Sequence, residues 1–212
     1  MIRLLIFLIG IAVMVLIIRR IWQLRTSAQT KLVLLDRDGV INEDRKDFVK
    51  KISEFKFIDG SISAIKTLNQ AGVKVAIITN QSAVGREIIT RENLQDIHDY
   101  MQAEMELHGA KVDAIYFCAD HPDSATNRRK PGTGMLEEAL AYFKASPDQT
   151  HMVGDALRDL QPAKKLGIHR HLVLTGKGEK TLNDKSLQDC SPFEVHKNLQ
   201  DTVAVILKDF KK

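Results

Sequence analysis

The sequence predicts a three-layer α/β domain with a mainly parallel sheet, preceded by one N-terminal transmembrane helix. After residue 30, short runs of Val, Ile and Leu alternate with amphipathic stretches, several of which end at a glycine. This alternation is typical of parallel strands joined by crossover helices. Before residue 30, the stretch from Leu4 to Ile18 contains no charged or strongly polar side chain. We therefore expect an anchor helix at 1–24, a linker at 25–30 and a folded domain at 31–212.

The anchor prediction depends on the length and the flanks of this apolar stretch. A bilayer core of about 30 Å requires roughly 20 apolar residues, and the stretch approaches that length only with its neighbours Met1, Ile2, Ile21 and Trp22. The arginines directly after the stretch argue against a cleaved signal peptide, and a buried core helix is the other alternative. Because most of the positive charge follows the span, the folded domain is expected in the cytoplasm, anchored to the membrane. Two cysteines fit such a reducing compartment.

The excess of positive charge belongs to the N-terminal segment. The chain has 31 Lys and Arg against 27 Asp and Glu, and residues 1–30 contain four arginines and no acid. The folded domain is therefore neutral overall and has no electrostatic footprint for nucleic acid. No nucleic-acid partner is expected, and the sequence leaves the oligomeric state open.

Strands and helices are predicted in strict alternation along the folded domain. The predicted strands cover residues 31–35, 73–79, 113–117, 151–154 and 169–174. The predicted helices cover residues 61–72, 90–109, 133–145, 157–167 and 199–210, with glycines 72, 109 and 167 at C-cap positions. Residues 176–192 are interpreted as a loop. In sheets of this kind ligands bind beyond the carboxyl ends of the strands, so the polar residues there are the candidate site.

Polar side chains follow four of the predicted strands. Asp36 and Asp38 follow the first strand, two residues apart and before a glycine. Alternate residues that leave a strand point to one side, so both carboxylates can face one ligand, and a cation or a shared proton would relieve their repulsion. The second strand ends in TNQS, the loop after the third carries two arginines and Lys130, and the fourth is followed by Asp155 and Asp159. Each motif alone is also compatible with an ordinary turn or a capped helix.

Taken together, this set resembles the haloacid dehalogenase (HAD) superfamily of phosphohydrolases. DRDGVIN, TNQS and RKPG are similar to the branch that contains the D-glycero-D-manno-heptose 1,7-bisphosphate 7-phosphatases and the histidinol-phosphatases. The resemblance covers roughly residues 31–175 and implies a Rossmann-like HAD domain. The intervals between the motifs are filled by core elements, which leaves no room for a separate cap domain.

The resemblance implies a catalytic role for each motif. Asp36 would be the nucleophile that takes the phosphoryl group, and Asp38 would protonate the leaving oxygen and then activate water. Thr79 and Lys130 would hold the phosphoryl oxygens. Mg²⁺ would be bound by Asp36, Asp38 and Asp155, and Asp159 would orient Lys130 or a metal-bound water. Substrate contacts are implied for Asp44, Asn80, Gln81, Ser82 and Arg129.

The loop from Cys118 to Gly132 differs from its zinc-binding counterparts in this branch. Those relatives carry C-x-H and then C-x-C before R-K-P, whereas here Asp120, Thr126 and Arg128 replace three of the four ligands. A structural zinc requires four ligands, so zinc is not expected. The alternative is an improvised site made from Cys118, Asp120, His121 and Asp123.

The implied function is a Mg²⁺-dependent phosphomonoester hydrolase that acts through an aspartyl-phosphate on a small phosphorylated metabolite. The first candidate substrate is D-glycero-D-manno-heptose 1,7-bisphosphate, with removal of the 7-phosphate. Histidinol phosphate and the 3′ end of a nucleic acid are alternative substrates. A membrane-tethered binding protein without catalysis is the alternative from a different class.

Overall fold

The computed structural model describes Met14 and residues 29–211. In these residues six strands form one sheet in the order β3-β2-β1-β4-β5-β6, and every neighbouring pair is parallel. The inner strands are rich in Val, Ile and Leu because helices cover both faces of the sheet. The strands are β1 (Leu32–Leu35), β2 (Lys74–Asn80), β3 (Ala114–Cys118), β4 (Thr150–Gly154), β5 (His169–Val173) and β6 (Glu194–His196).

Helices form a layer on each face of the sheet. In chain order they are α1 (Ser61–Gln70), α2 (Ser82–Gly85), α3 (Arg91–Leu107), α4 (Gly134–Phe143), α5 (Leu157–Lys165), α6 (Gly178–Leu182) and α7 (Leu199–Asp209). One core cluster joins the sheet to α1, α3 and α7, and includes Ile65, Met101 and Val203. Apolar residues of α4 and α5 pack on the opposite face. The predicted three-layer Rossmann-like α/β fold is confirmed.

The order of the strands places a crevice beside β1. The chain runs outward from β1 through β2 to β3, and then returns to β4 on the other side of β1. Loops that leave β1 and β4 therefore diverge at the carboxyl end of the sheet. This is the position at which α/β sheets bind ligands.

The element predictions agree with the structure except for its shortest pieces. Each of the five predicted strands is present with bounds within one residue, and each predicted helix ends within two residues of its prediction. Sequence reasoning missed β6, α2 and α6. These have three, four and five residues, too few for a periodic pattern to become visible.

The predicted transmembrane helix and the membrane-anchored location are corrected by the structure. No helix within Met14 and residues 29–211 is long and apolar enough to cross a membrane. The longest helix of that part, α3, has 17 residues and only one apolar face, because it packs against the sheet on one side and meets water on the other. Apart from Met14, the anchor predicted at 1–24 lies outside the described residues.

Candidate active site

A polar cavity of about 360 Å³ lies beyond the carboxyl ends of β1 and β2. Residues from five separate segments converge on it, as expected for the crevice beside β1. Its lining consists of Arg37, Asp38, Asp44, Arg45, Lys46, Phe48, Val49, Asn80, Gln81, Ser82, Arg129, Arg158 and Lys177. Nine of the ten predicted site residues are therefore either in this lining or adjacent to a lining residue in the chain, and Asp155 is the exception.

Three buried carboxylates are grouped behind the cavity. Asp36 follows β1, whereas Asp155 and Asp159 follow β4, and one oxygen of each lies within 4.8 Å of the others. Burial, followed by repulsion from Asp159, raises the pKa of Asp36 to about 6 and that of Asp155 to about 7. Three mutually repelling acids in a dry site are unfavourable unless a cation accompanies them. The group therefore has the chemistry of a cation site.

Two glycines enclose the carboxylate of Asp155. Gly39 and Gly176 have left-handed φ angles of +92° and +58°, and a Cβ on either residue would lie 2.2 or 2.3 Å from Asp155 Oδ2. That oxygen accepts a hydrogen bond of 2.7 Å from the backbone of Lys177. The other oxygen, Oδ1, is buried without a hydrogen-bond partner. One oxygen is thus fixed by the backbone, and the second is left for a ligand.

The ammonium group of Lys130 neutralises part of this negative charge. Lys130 Nζ lies 2.9 Å from Asp36 Oδ1 and 2.6 Å from Asp159 Oδ1, and it donates a hydrogen bond of 2.7 Å to the carbonyl of Ile78. Burial alone would lower the pKa of Lys130, but Asp159 and Asp36 raise it above its usual value. Lys130 is therefore a buried cation. Asp159 orients it while also accepting a hydrogen bond from Ala156 N at the start of α5.

The carboxylate of Asp38 is held by a network of donors on the cavity side. The buried guanidinium of Arg37 lies 3.0 Å from the Asp38 carboxylate. The carboxylate also accepts hydrogen bonds of 2.9 Å from both Asn42 and Gln81. Burial would raise the pKa of Asp38, but Arg37 and these hydrogen bonds lower it below its usual value. Arg37 is itself positioned by His98, whose pKa burial lowers to about 3, so that its Nε2 accepts from Arg37. Asp38 is thus an ionised carboxylate held by several donors.

The residues at the end of β2 connect these groups. Thr79 is buried, and its Oγ1 accepts a hydrogen bond of 2.8 Å from Gln81 Nε2, which also donates to Asp38. The amide of Asn80 pairs with the backbone of Lys130 in both directions, at 2.9 and 3.0 Å. Asn80 lines the cavity, but its hydrogen bonds in this structure position the loop that delivers Lys130. Ser82 is buried and starts α2 beside them.

Cationic side chains surround the cavity. Arg129 and Arg158 line its wall, and Lys177 pairs with the predicted substrate residue Asp44 at 2.5 Å. Burial lowers the pKa of Arg158, but the carboxylates of Asp159, Asp36 and Asp155 raise it more strongly. Its Nε is buried without a hydrogen-bond partner. Together with Arg45 and Lys46, this surface suits a ligand with more than one anionic group.

The loop from Cys118 to Gly132 is held by hydrogen bonds among its own residues. Asp120 Oδ2 accepts from the backbone and the hydroxyl of Thr126 at 2.8 and 2.6 Å, and His121 Nδ1 accepts from Asp123 N at 3.2 Å. Arg128 turns outward, where it pairs with Glu138 and donates to the carbonyl of Phe117. Arg129, the next residue, lies on the cavity side, where its Nη1 donates a hydrogen bond of 3.3 Å to the carbonyl of Asp120. The expectation that zinc is absent from this loop stays a prediction.

The structure brings the predicted residues together around one crevice, although it divides them into two sets. Asp36, Thr79, Lys130 and Asp155 are buried behind the cavity, whereas Asp38, Asp44, Asn80, Gln81, Ser82 and Arg129 line it, Gln81 and Ser82 with little exposed surface. Sequence reasoning missed Arg158 and Lys177. The sequence carried a signal for Arg158, since it lies between Asp155 and Asp159, but Lys177 follows a strand that contributed no motif.

Comparisons with known proteins agree with this geometry. A model of a HAD-hydrolase-like family matches residues 127–202. The chain is 41% identical over 179 residues to D-glycero-beta-D-manno-heptose-1,7-bisphosphate 7-phosphatase of Neisseria meningitidis, covering 84% of this chain and 96% of that protein. It is 40% identical to the protein of that name from Bordetella bronchiseptica, covering 75% of this chain and 89% of the relative.

A solved structure supports the same relationship. The crystal structure of D,D-heptose 1,7-bisphosphate phosphatase from B. bronchiseptica, complexed with magnesium and phosphate, matches with a TM-score of 0.81 and 37% identity. The match covers 85% of this chain and 99% of that one. Both sequence and backbone therefore relate the described domain to the same group of enzymes.

Proposed function

Because this chain belongs to the D-glycero-D-manno-heptose-1,7-bisphosphate 7-phosphatase family of HAD-like hydrolases, we propose that it removes the 7-phosphate of that sugar bisphosphate. The observation that carries the proposal is the position of Asp36, a buried carboxylate held by Lys130 directly behind a cavity with a cationic wall. An acid in this position can attack a phosphoryl group whose remaining charges the wall binds.

Asp36 is proposed as the nucleophile. Its Oδ1 is occupied by Lys130 and by the backbone N–H of Arg37 at 2.8 Å, which fixes the orientation of the carboxylate. Attack on phosphorus forms a bond from an Asp36 oxygen to phosphorus and breaks the bond to the sugar oxygen, which leaves an aspartyl-phosphate. Lys130 and Thr79 are proposed to hold the phosphoryl oxygens as charge develops on them.

Asp38 is proposed to move the protons. Its lowered pKa, which Arg37 helps to cause, keeps it ionised and therefore free to accept a proton. An approaching phosphate dianion adds negative charge and raises that pKa, so the carboxyl can carry a proton for the leaving sugar oxygen. After the sugar leaves, the same carboxylate can take a proton from the water that hydrolyses the aspartyl-phosphate.

Magnesium fits the residues present. Asp155, whose Oδ1 is buried without a hydrogen-bond partner, lies next to Asp36. Carboxylate oxygens are the ligands that Mg²⁺ prefers. Asp36, Asp155 and the backbone carbonyl of Asp38 are proposed to hold it. When bound, Mg²⁺ would offset the negative charge of the acids and of the substrate phosphate. Asp159 is paired with Lys130 and is proposed as a positioning residue for that lysine.

The cationic wall is proposed to select a bisphosphate. The reacting phosphate belongs at Asp36, and a second phosphate on the same sugar would need its own cations farther out. Arg129, Arg158 and Lys177 lie in that outer wall. Arginine can grip a phosphate through two parallel N–H donors, which adds orientation to charge.

Phosphate release measured with the full-length chain tests the proposal. Incubation with Mg²⁺ and D-glycero-β-D-manno-heptose 1,7-bisphosphate should release one phosphate, and Asp36→Asn should abolish the release. Asp96→Asn is the matched control, since Asp96 is an exposed acid of α3 outside the cavity lining. The α anomer and histidinol phosphate, tested alongside, should be poorer substrates. Equal turnover by Asp36→Asn, or a preference for histidinol phosphate, would overturn it.

A further inference from the structure

A row of histidines lies on the sheet face covered by α7, outside the candidate active site. His151 comes from β4, His169 and His171 from β5, and His196 from β6. The ring of His151 stacks on those of His169 and His171 at 4.7 and 5.1 Å, and the His171 and His196 rings are 5.3 Å apart. A separate cavity reaches His171, and it shares no lining residue with the phosphate cavity. The proposed phosphatase chemistry uses none of these rings.

The strand register brings a carboxylate to the same place. His171 in β5 is the register partner of Glu194 in β6. His196 follows Glu194 by two residues, so both side chains leave the same face of the strand. One ligand atom from each of the three residues lies within 4.8 Å of the others. Two imidazoles and a carboxylate therefore converge at one point of the sheet.

The distances within this group approach those of a coordinated cation. His171 Nδ1 lies 3.1 Å from His196 Nε2, which lies 3.8 Å from Glu194 Oε2. A tetrahedral zinc with bonds of about 2.0–2.2 Å separates neighbouring ligand atoms by roughly 3.3–3.6 Å. Small side-chain rotations would therefore suffice. Glu194 is exposed on the last strand of the sheet, which gives an ion a route from solvent.

His151 provides the outer contact that metal-binding histidines commonly have. Its Nδ1 lies 2.9 Å from His171 Nε2. A proton on His171 Nε2, donated to His151, leaves the lone pair of His171 Nδ1 directed at His196 and Glu194. The second nitrogen of His151, Nε2, lies 3.9 Å from an Asp209 carboxylate oxygen. With this arrangement the N–H of His171 points to His151, and the N–H of His151 points to Asp209.

The charged groups around the three residues are mainly carboxylates. Glu194 and, on α7, Asp201 both act on His196. The nearby cation, Arg170, donates to the carbonyls of Cys190 and Pro192. The surroundings of the group therefore favour a bound cation.

We propose that His171, His196 and Glu194 form a second metal site, which takes a divalent transition-metal ion such as Zn²⁺, with His151 orienting His171. Two histidines and a carboxylate are a ligand set that binds zinc in other proteins, with water completing the coordination. The site is independent of the Mg²⁺ chemistry proposed at Asp36. Its ion would connect β5 to the short strand β6 at the edge of the sheet.

Zinc titration of the full-length chain tests this site. The metal-free protein, in excess Mg²⁺ to fill the carboxylate site, is titrated with Zn²⁺ against a chromophoric chelator. We expect one zinc per chain, and binding at least about tenfold weaker in His196→Gln and in Glu194→Gln. His108→Gln, an exposed histidine at the end of α3, should leave the affinity unchanged. Cys118→Ser should also leave it unchanged, which separates this site from the Cys118 loop.

Two readouts keep the outcome decisive. Co²⁺ bound to the parent chain should give a visible spectrum that Glu194→Gln alters, and Glu194 is exposed, so this variant should fold even if a histidine variant does not. The Mg²⁺-dependent phosphatase activity of Glu194→Gln should match that of the parent. Zinc affinity that is equal in the parent, Glu194→Gln and His196→Gln, or a loss caused by Cys118→Ser instead, would overturn the proposal.

Discussion

Lys130 and Asp36 form a buried ion pair, in which Lys130 Nζ lies 2.9 Å from Asp36 Oδ1. The pair joins residues that are distant in sequence, one in the loop after β3 and the other directly after β1. The same ammonium contacts Asp159 Oδ1 at 2.6 Å, so one cation serves two carboxylates. Removal of the cation would leave two buried negative charges close together. The proposed nucleophile therefore depends on Lys130 for both its position and its charge state.

Replacement of Lys130 should damage both activity and folding. Lys130→Met removes a donor to the phosphoryl oxygens, and we expect kcat to fall by about 10²–10³-fold. The uncompensated carboxylates should also lower the free energy of unfolding by about 3–5 kcal/mol. Steady-state kinetics and urea denaturation measure the two effects. Lys180→Met, at an exposed lysine of α6, is the control and should change neither. An unchanged unfolding midpoint in Lys130→Met would contradict the ion-pair argument.

Binding of Mg²⁺ should strengthen as the pH rises. In the metal-free protein the pKa of Asp36 is raised to about 6 and that of Asp155 to about 7, so both carboxyls are protonated at pH 5. A bound cation requires both carboxyl groups to be ionised, so protons compete with Mg²⁺ for these groups below pH 7. Above pH 8 this competition ends. Calorimetric titration from pH 5.5 to 8.5 should show the Mg²⁺ affinity rise and then level off, with proton release on binding near pH 6. A pH-independent affinity would argue against these two ligands.

A methyl group at Gly39 should weaken the metal site specifically. Gly39→Ala places a Cβ 2.2 Å from Asp155 Oδ2, whereas Gly72→Ala has a similar positive φ and nothing within 4 Å. Both variants carry the strain of a left-handed alanine, about 1–2 kcal/mol. Only Gly39→Ala should also weaken Mg²⁺ binding, by about tenfold or more. Equal Mg²⁺ affinities in the two variants would mean that Gly39 does not position Asp155.

Neighbouring arginines of one loop should differ in their effect on substrate binding. Arg129 lines the cavity, whereas Arg128 pairs with Glu138 on the outer surface. We expect Arg129→Gln to raise KM for the bisphosphate by about 10–100-fold, because charged hydrogen bonds to the substrate are lost. The effect on kcat should be smaller. Arg128→Gln is the matched control and should leave KM unchanged. Comparable KM values for the two variants would remove Arg129 from the substrate site.

The sequence was informative where a local pattern carries a physical requirement. Alternating apolar and amphipathic runs predicted the layers, and polar residues after successive strands predicted the crevice at which Asp38, Gln81 and Arg129 meet. The predicted transmembrane helix did not follow from such a requirement, since the apolar run is short and its length had to be completed with flanking residues. Among the described residues, no helix has the length and apolar character that a membrane span needs.

Several contacts of the site depend on three-dimensional proximity that no local pattern encodes. Gly176 and Lys177 follow a strand without a motif, yet they close around Asp155 because β5 lies next to β4. Arg37 lies between two acids in the sequence, and that position gives no sign that it is buried and holds Asp38. His151, His171 and His196 are separated by 20 and 25 residues and become one row through strand register alone.

The sequence by itself determined the fold class, the element order and the residue types at the strand ends, because hydrophobic periodicity and turn chemistry are local. The tertiary structure alone decided that Arg37 holds Asp38 and that Gly176 and Lys177 close around Asp155. It also decided which histidines meet. Those outcomes depend on strand order and register, and on the burial that follows from them, since Coulomb interactions and desolvation depend on distances through space and not on separation along the chain.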